Sequence, residues 1–81
     1  MYCTAACPFC QSAERLLLEK GAAIEKVRVD LEPSRRAEMR QKSGRSTVPQ
    51  IWVGGRHVGG CDDLYALDRA GGLDSLLKAS P

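Results

Sequence analysis

The 81 residues, 43% hydrophobic and 27% charged, suffice for one compact domain spanning 1–81 and leave no room for a second. A formal net charge of +2 with only 5% aromatic residues argues against a nucleic-acid partner. No apolar run nears the roughly 18 residues that cross a bilayer, and Met1-Tyr2-Cys3-Thr4 does not read as a secretory signal; the expected setting is the cytoplasm, with no membrane partner.

Met1–Thr4 reads as the stub of a first strand leading into Cys7. Pro8 suits the first position of a helix, and Cys10, Ala13, Leu16 and Leu17 follow at helical spacing until Gly21 stops it. Val27, Val29 and Leu31 alternate with Lys26, Arg28 and Asp30, the period of a strand. Pro33 opens a second, strongly charged helix that ends near Gly44. Ile51-Trp52-Val53, Gly54-Gly55 and Arg56-His57-Val58 predict a hairpin whose turn needs positive φ. Asp62-Asp63 heads a third helix with Leu64, Leu67 and Ala70 on one side. Gly71-Gly72 breaks it, and a short helix with Leu73, Leu76 and Leu77 follows. The order β-α-β-α-β-β-α-α places a parallel strand pair around a helix before a hairpin, which predicts a layered α/β sheet.

Cys3, Cys7, Cys10 and Cys61 would make two structural disulfides in a secreted domain. Without an export signal, a Cys-x-x-Cys pair is more often redox-active or metal-binding. Thiolates attack disulfides, and helix N-termini and Cys-x-x-Cys pairs lower thiol pKa values to about 3.5–7.5. Cys7 stands at such a terminus, where unpaired N–H groups and the helix dipole favour negative charge. Cys10 lies one turn inward, within reach of a mixed disulfide on Cys7. A zinc half-site or inert packing are the rival readings, but zinc ribbons usually use two Cys-x-x-Cys knuckles and the second is missing.

Two further stretches allow a plain and a functional reading. Pro49 in Thr47-Val48-Pro49 removes a ladder donor; a trans proline starting an edge strand is commoner, whereas a cis bond turns the Val48 backbone outward for an extended peptide. In Gly59-Gly60-Cys61-Asp62-Asp63, the glycines allow close approach of a ligand, the helix N-terminus suits a carboxylate, and Asp62 suits an ammonium. The plain reading is a glycine loop with an aspartate cap. Arg35, Arg36, Arg40, Lys42 and Arg45 read as a solvated face or as an attractor for a small dicarboxylate peptide. Trp52 and His57 carry no role beyond packing or solvation, and Cys3 reads as a buried strand residue.

Together, Cys7-Pro8-Phe9-Cys10, Ser43-Gly44-Arg45-Ser46-Thr47-Val48-Pro49-Gln50-Ile51 and Gly59-Gly60-Cys61-Asp62-Asp63-Leu64-Tyr65-Ala66-Leu67 resemble the glutaredoxins of the dithiol type, in particular the bacterial glutaredoxin 3 group, over nearly the whole chain. The resemblance implies a thioredoxin-like α/β fold, with a four-stranded mixed sheet of order 2-1-3-4 flanked by helices and Pro49 in cis. It implies a glutathione-dependent thiol–disulfide oxidoreductase that reduces protein–glutathione mixed disulfides and protein disulfides in cell redox homeostasis. By position, Cys7 is the nucleophile and Cys10 the resolving thiol. The glutathione contacts implied are Phe9, Arg36, Thr47, Val48, Pro49, Gly60, Cys61 and Asp62. Among these, the Val48 backbone clamps the cysteinyl part, Cys61 and Asp62 hold the γ-glutamyl end, and Arg36 reaches the glycyl carboxylate.

Glutathione is then the reducing co-substrate, with no metal expected. Glutathionylated or disulfide-containing proteins are the partners, ribonucleotide reductase a candidate among them, and a monomer is the default state. The chain departs from the family at Phe9, where tyrosine is usual, and at Thr4, where lysine is common; its first strand is also short. The rival of another class is an iron–sulfur cluster bridged through Cys7 and glutathione, or zinc held by several cysteines. Pro8, after Cys7, makes the cluster less attractive. A third reading draws electrons from thioredoxin reductase instead of glutathione.

Overall fold

In the computed structural model, which describes residues 1–79, the elements follow the expected order. They are β1 (Tyr2–Cys3), α1 (Pro8–Glu19), β2 (Val27–Arg28), α2 (Pro33–Ser43), β3 (Ile51–Val53), β4 (Arg56–Gly59), α3 (Cys61–Arg69) and α4 (Gly72–Ala79). Proline and glycine punctuate the first two helices as their backbone preferences require. Pro8 and Pro33 occupy the first turn, where a missing N–H costs nothing, and Gly44 closes α2 in the left-handed region at φ 72°.

β1 and β2 pair in parallel, Tyr2 against Val27 and Cys3 against Arg28, while β3 and β4 form the antiparallel hairpin. These are two separate two-stranded ladders rather than the expected continuous sheet of four. One antiparallel bridge, Tyr2 with Gln50, joins them and sets β1 between β2 and the residue that leads into β3. Pairing is that sparse because β1 has two residues and Pro49 has no N–H to give.

β2 is also shorter than its alternating sequence predicts. Arg28 makes a bidentate ion pair with Asp30, both bonds 2.7 Å, and the Glu32 N–H returns to the Arg28 carbonyl. That curls the chain into a turn, so Val29 stays buried while Leu31 is left exposed. Of the two turn glycines, Gly54 alone, at φ 64°, takes the positive φ expected of the turn. Ala70 falls outside α3 as its exposed C-cap, and Gly72 belongs to α4 rather than to a break.

Successive residues of each strand serve opposite faces. On one face Tyr2, Val29 and Met39 of α2 pack together with Trp52 at their edge. On the other, Ile51 meets Ala13, Leu16 and Leu17 of α1, Leu64 of α3 and Leu73 of α4. Cys3, one residue beyond Tyr2, turns toward the start of α1 and packs with Cys7 and Cys10. Helices therefore cover both sides of the strands, and the first turn of α1 is pressed against the end of β1. Among the described residues no helix is long and apolar enough to cross a membrane.

Candidate active site around Cys7 and the Thr47–Gln50 loop

Cys7 is the N-cap of α1, with extended backbone at φ −120° and ψ 105°. From there its Sγ folds back over the first turn and accepts the Cys10 N–H at 3.3 Å. A charge-seeking donor at a helix N-terminus stabilises negative charge on the sulfur it meets. While protonated, the same thiol points at the Val48 carbonyl oxygen, 3.9 Å away. The folded-back position leaves Cys7 only 9% exposed, so the sulfur is less open than an attacking thiol is expected to be, and its neighbour Phe9 is 61% exposed.

All four cysteines are free thiols. Burial, then the hydrogen bond with Cys7, pushes the Cys10 thiol up to about 12. Cys10 thus keeps its proton at neutral pH, which divides the pair into unequal members. Cys61, buried at the first position of α3, is also pushed up, by burial and then by Asp62 and Cys7. The Cys7 charge acts on it, which sets Cys61 on the Cys7 side of the molecule.

The loop facing Cys7 is held by Gln50. The Val48–Pro49 bond is cis. Gln50 is fully buried, its main chain exchanging both bonds with Tyr2 (2.9 and 3.2 Å). Its side-chain amide nitrogen donates to the Thr47 carbonyl at 3.0 Å and lies 3.3 Å from the Thr47 hydroxyl. A carbonyl only accepts, so the amide nitrogen must face Thr47 and Oε1 must face His57, 2.9 Å from its Nε2. His57 therefore carries a proton on Nε2. Its ring lies on Trp52 with centroids 4.5 Å apart. His57, read from sequence as a hairpin residue without a role, is a strut for the loop that carries Val48.

At the head of α3 the capping aspartate is Asp63, while Asp62 stands exposed beside it. Asp63 Oδ2 accepts the Gly60 N–H at 2.9 Å and the Arg45 guanidinium at 2.7 Å. Arg45 first, then the Gly60 N–H, hold its carboxyl below the usual range. Gly59 sits at φ 118°, and a Cβ there would run into the Asp63 carboxylate. The glycine is thus needed for the cap, whatever ligand approaches. Arg36 reaches the Ser46 carbonyl at 3.5 Å, which brings its cation to the residue before Thr47. Arg35 is directed elsewhere, to Glu32 and Glu38.

The fold thus gathers Cys7, Cys10, Val48 and Cys61 and sets Thr47, Pro49, Gly60 and Arg36 in the segments around them, with Phe9 and Asp62 exposed beside Cys7 and Cys61. Gln50 and His57 are supporting residues that the sequence reading did not single out for this site, and it did not foresee the pairing of Arg45 with Asp63. Among the described residues no three thiol, imidazole or carboxylate groups converge to hold a metal ion.

The glutaredoxin family model matches residues 1–58. Glutaredoxin 3 of Escherichia coli strain K12 is 50% identical over 78 residues, covering 96% of this chain and 94% of that protein. The solution structure of a Brucella melitensis glutaredoxin superposes with a TM-score of 0.84 at 53% identity, covering 95% of this chain and 84% of the other. A buckwheat glutaredoxin, solved as a complex with glutathione, superposes with a TM-score of 0.89 at 30% identity, covering 95% of this chain and 73% of the other. The thioredoxin-like α/β fold expected from the resemblance is borne out by these neighbours.

Proposed function

Because the chain belongs to the glutaredoxin family, and so to the thiol–disulfide oxidoreductases of cell redox chemistry, we propose that it is a glutathione-dependent dithiol enzyme with Cys7 as nucleophile and Cys10 as resolving thiol. The observation that carries this reading is the position of the Cys7 sulfur: at the N-cap of α1, receiving the Cys10 N–H, and beside the Val48 carbonyl. Cys10, held as a thiol, does not compete with it.

In the first half-reaction the Cys7 thiolate attacks the glutathionyl sulfur of a protein–glutathione mixed disulfide. A Cys7–glutathione disulfide forms and the protein thiolate leaves, taking up a proton. A second glutathione thiolate attacks the bound glutathionyl sulfur, oxidised glutathione departs, and Cys7 returns as the anion. With a protein disulfide, Cys7 forms the mixed disulfide and frees one substrate thiolate. Cys10, having lost its proton, then attacks the Cys7 sulfur; the bond to the substrate breaks and the second substrate thiolate leaves. The resulting Cys7–Cys10 bond is reduced by two glutathiones. Two of the causes that hold the Cys10 thiol up are its hydrogen bond with Cys7 and the Cys7 charge. Both vanish once Cys7 is in a mixed disulfide, so Cys10 becomes easier to ionise at the step that needs it.

Glutathione is taken up in the groove between the Thr47–Pro49 loop and the head of α3. The Val48 backbone clamps its cysteinyl part, with Thr47, Pro49 and Phe9 beside it. Gly60, Cys61 and Asp62 take the γ-glutamyl end, and Arg36 the glycyl carboxylate. The buckwheat glutaredoxin, solved as a complex with glutathione, supports glutathione as the ligand. The protein works as a one-domain monomer in the reducing cytoplasm, on glutathionylated and disulfide-containing proteins, with ribonucleotide reductase a candidate substrate. The test is reduction of a glutathionyl peptide and of a protein disulfide by Cys7→Ser and Cys10→Ser. Cys10→Ser is expected to keep the first activity and lose the second, and Cys7→Ser to lose both; full activity in Cys7→Ser overturns the assignment.

A further inference from the structure

We propose that Cys3 is a third redox thiol, and that the Cys7–Cys10 disulfide passes to Cys3–Cys10 so that the oxidised protein regains a free Cys7. The proposal rests on the roles of Cys7 and Cys10 proposed above. Cys3 ends β1, and its side chain leaves the strand on the face opposite Tyr2, toward α1. There Cys3, Cys7 and Cys10 form one buried cluster, 3%, 9% and 4% exposed, with the partly buried apolar side chains of Met1 and Val48 packed against it. Cys10 lies within electrostatic reach of both other sulfurs.

The two sides of Cys10 differ. On one side is Cys7, against the Val48 carbonyl. On the other a cleft of about 280 Å³ is lined by Cys3 and Cys10, with Glu14, Lys26 and Arg28 among its polar residues, and not by Cys7. This cleft gives protons a route to Cys3 and Cys10 that a substrate seated on Cys7 does not block. Burial pushes the Cys3 thiol up; Lys26, the N-terminus and Arg28 act against that, and Glu14, paired with Lys26, acts with it.

The exchange balances without any oxidant beyond the protein disulfide that formed the first bond. Cys3 gives up its proton, and its thiolate attacks the Cys10 sulfur. A Cys3–Cys10 bond forms, the Cys7–Cys10 bond breaks, and Cys7 leaves with the electron pair. One disulfide is present before and after. A disulfide suits best the thiols that gain least from ionising when reduced. Burial places Cys3 in that class, whereas the sulfur it displaces, Cys7, accepts the Cys10 N–H at the N-cap of α1. The same burial makes the transfer slow at neutral pH and faster in alkali. Its consequence is an oxidised protein that still takes up a glutathionyl group, a dithiol enzyme turned into a one-thiol enzyme by its own third cysteine.

The experiment follows the label. The protein is oxidised to one disulfide, held at neutral pH or at about pH 9, quenched in acid under denaturing conditions, and its free thiols are blocked with N-ethylmaleimide. After reduction and labelling with iodoacetamide, tandem mass spectrometry of the tryptic peptide Met1–Arg15, which holds all three cysteines, reports which of them was free. The maleimide label is expected to start on Cys3 and to move to Cys7 with time, sooner at the higher pH, until more than about half lies there. In oxidised Cys3→Ser, Cys7 is expected to stay unlabelled; Cys3→Ala gives the same comparison should the serine hydroxyl unfold the core. Label confined to Cys3 at every time and both pH values overturns the relay. Turnover of a glutathionyl peptide by the reduced wild-type protein tests the underlying reading separately: activity without label transfer sinks the relay alone.

Discussion

Gln50→Leu keeps the bulk of a fully buried side chain and deletes its amide. The Thr47 carbonyl, the Thr47 hydroxyl and the His57 ring each lose a partner. A hydrogen bond contributes a net of roughly 0.5–1.5 kcal/mol, and a buried group left unsatisfied costs roughly 1–3 kcal/mol. Thr47 is exposed, so water replaces both of its bonds, and the loss concentrates at half-buried His57. A destabilisation of about 1–2 kcal/mol is expected, which lowers the urea midpoint by about 1–2 M at the slope of about 1 kcal/mol per molar usual for small domains. His57→Phe keeps a ring against Trp52 and removes only the donor. The two lesions share one bond, so the double variant should fall short of the sum by about 1 kcal/mol. Because Gln50 fixes the loop that presents Val48, KM for a glutathionyl peptide should rise by about three- to tenfold, equivalent to about 0.7–1.4 kcal/mol, with kcat nearly unchanged. Additivity of the two substitutions within about 0.5 kcal/mol, or an unchanged KM, would refute the strut.

Asp63→Asn tests the cap at α3. The folded carboxyl lies below its ordinary value of 3.8, so its stabilisation is complete above about pH 5 and fades as pH falls through 4 toward the lowered folded value. The carboxylate is largely exposed and solvent screens its ion pair with Arg45, so about 1 kcal/mol at neutral pH is expected. Urea curves of the two proteins should converge in acid, and a gap of the same size at pH 7 and well below pH 4 contradicts the linkage. Gly59→Ala forces a side chain into φ 118° against the Asp63 carboxylate; a loss of about 2–4 kcal/mol is expected from backbone strain with displacement of the cap. A melting temperature within about 4 °C of wild type, the shift of roughly 1 kcal/mol at this size, would exclude that conflict.

The helices were legible because their signals are local. Pro8, Gly21, Pro33 and Gly44 fix backbone geometry within a residue or two, and Cys10, Ala13, Leu16 and Leu17 keep a spacing that only a helix buries on one side. β2 misled because Val27, Val29 and Leu31 alternate through a turn that the Arg28–Asp30 pair imposes. Alternation records which side chains are apolar and carries no trace of an ion pair between two polar ones. Which aspartate caps α3 was legible in the spacing: Asp63 stands three residues after Gly60, where a carboxylate reaches back to the first free N–H. No sequence signal joins His57 to Gln50: they meet only because the hairpin folds one strand onto the other. Nor does a motif reveal how far Cys7 tucks under, because that depends on the contact with Val48, 41 residues away.

Gln50 faces two ways. Its main chain is the stitch between the two ladders, and its side chain braces the loop opposite Cys7. Mechanical integrity and substrate grip are consequently vested in one residue. A fluctuation that parts Tyr2 from Gln50 also slackens the hold on an incoming peptide, so core substitutions around Tyr2, remote from any sulfur, will register as changes in affinity.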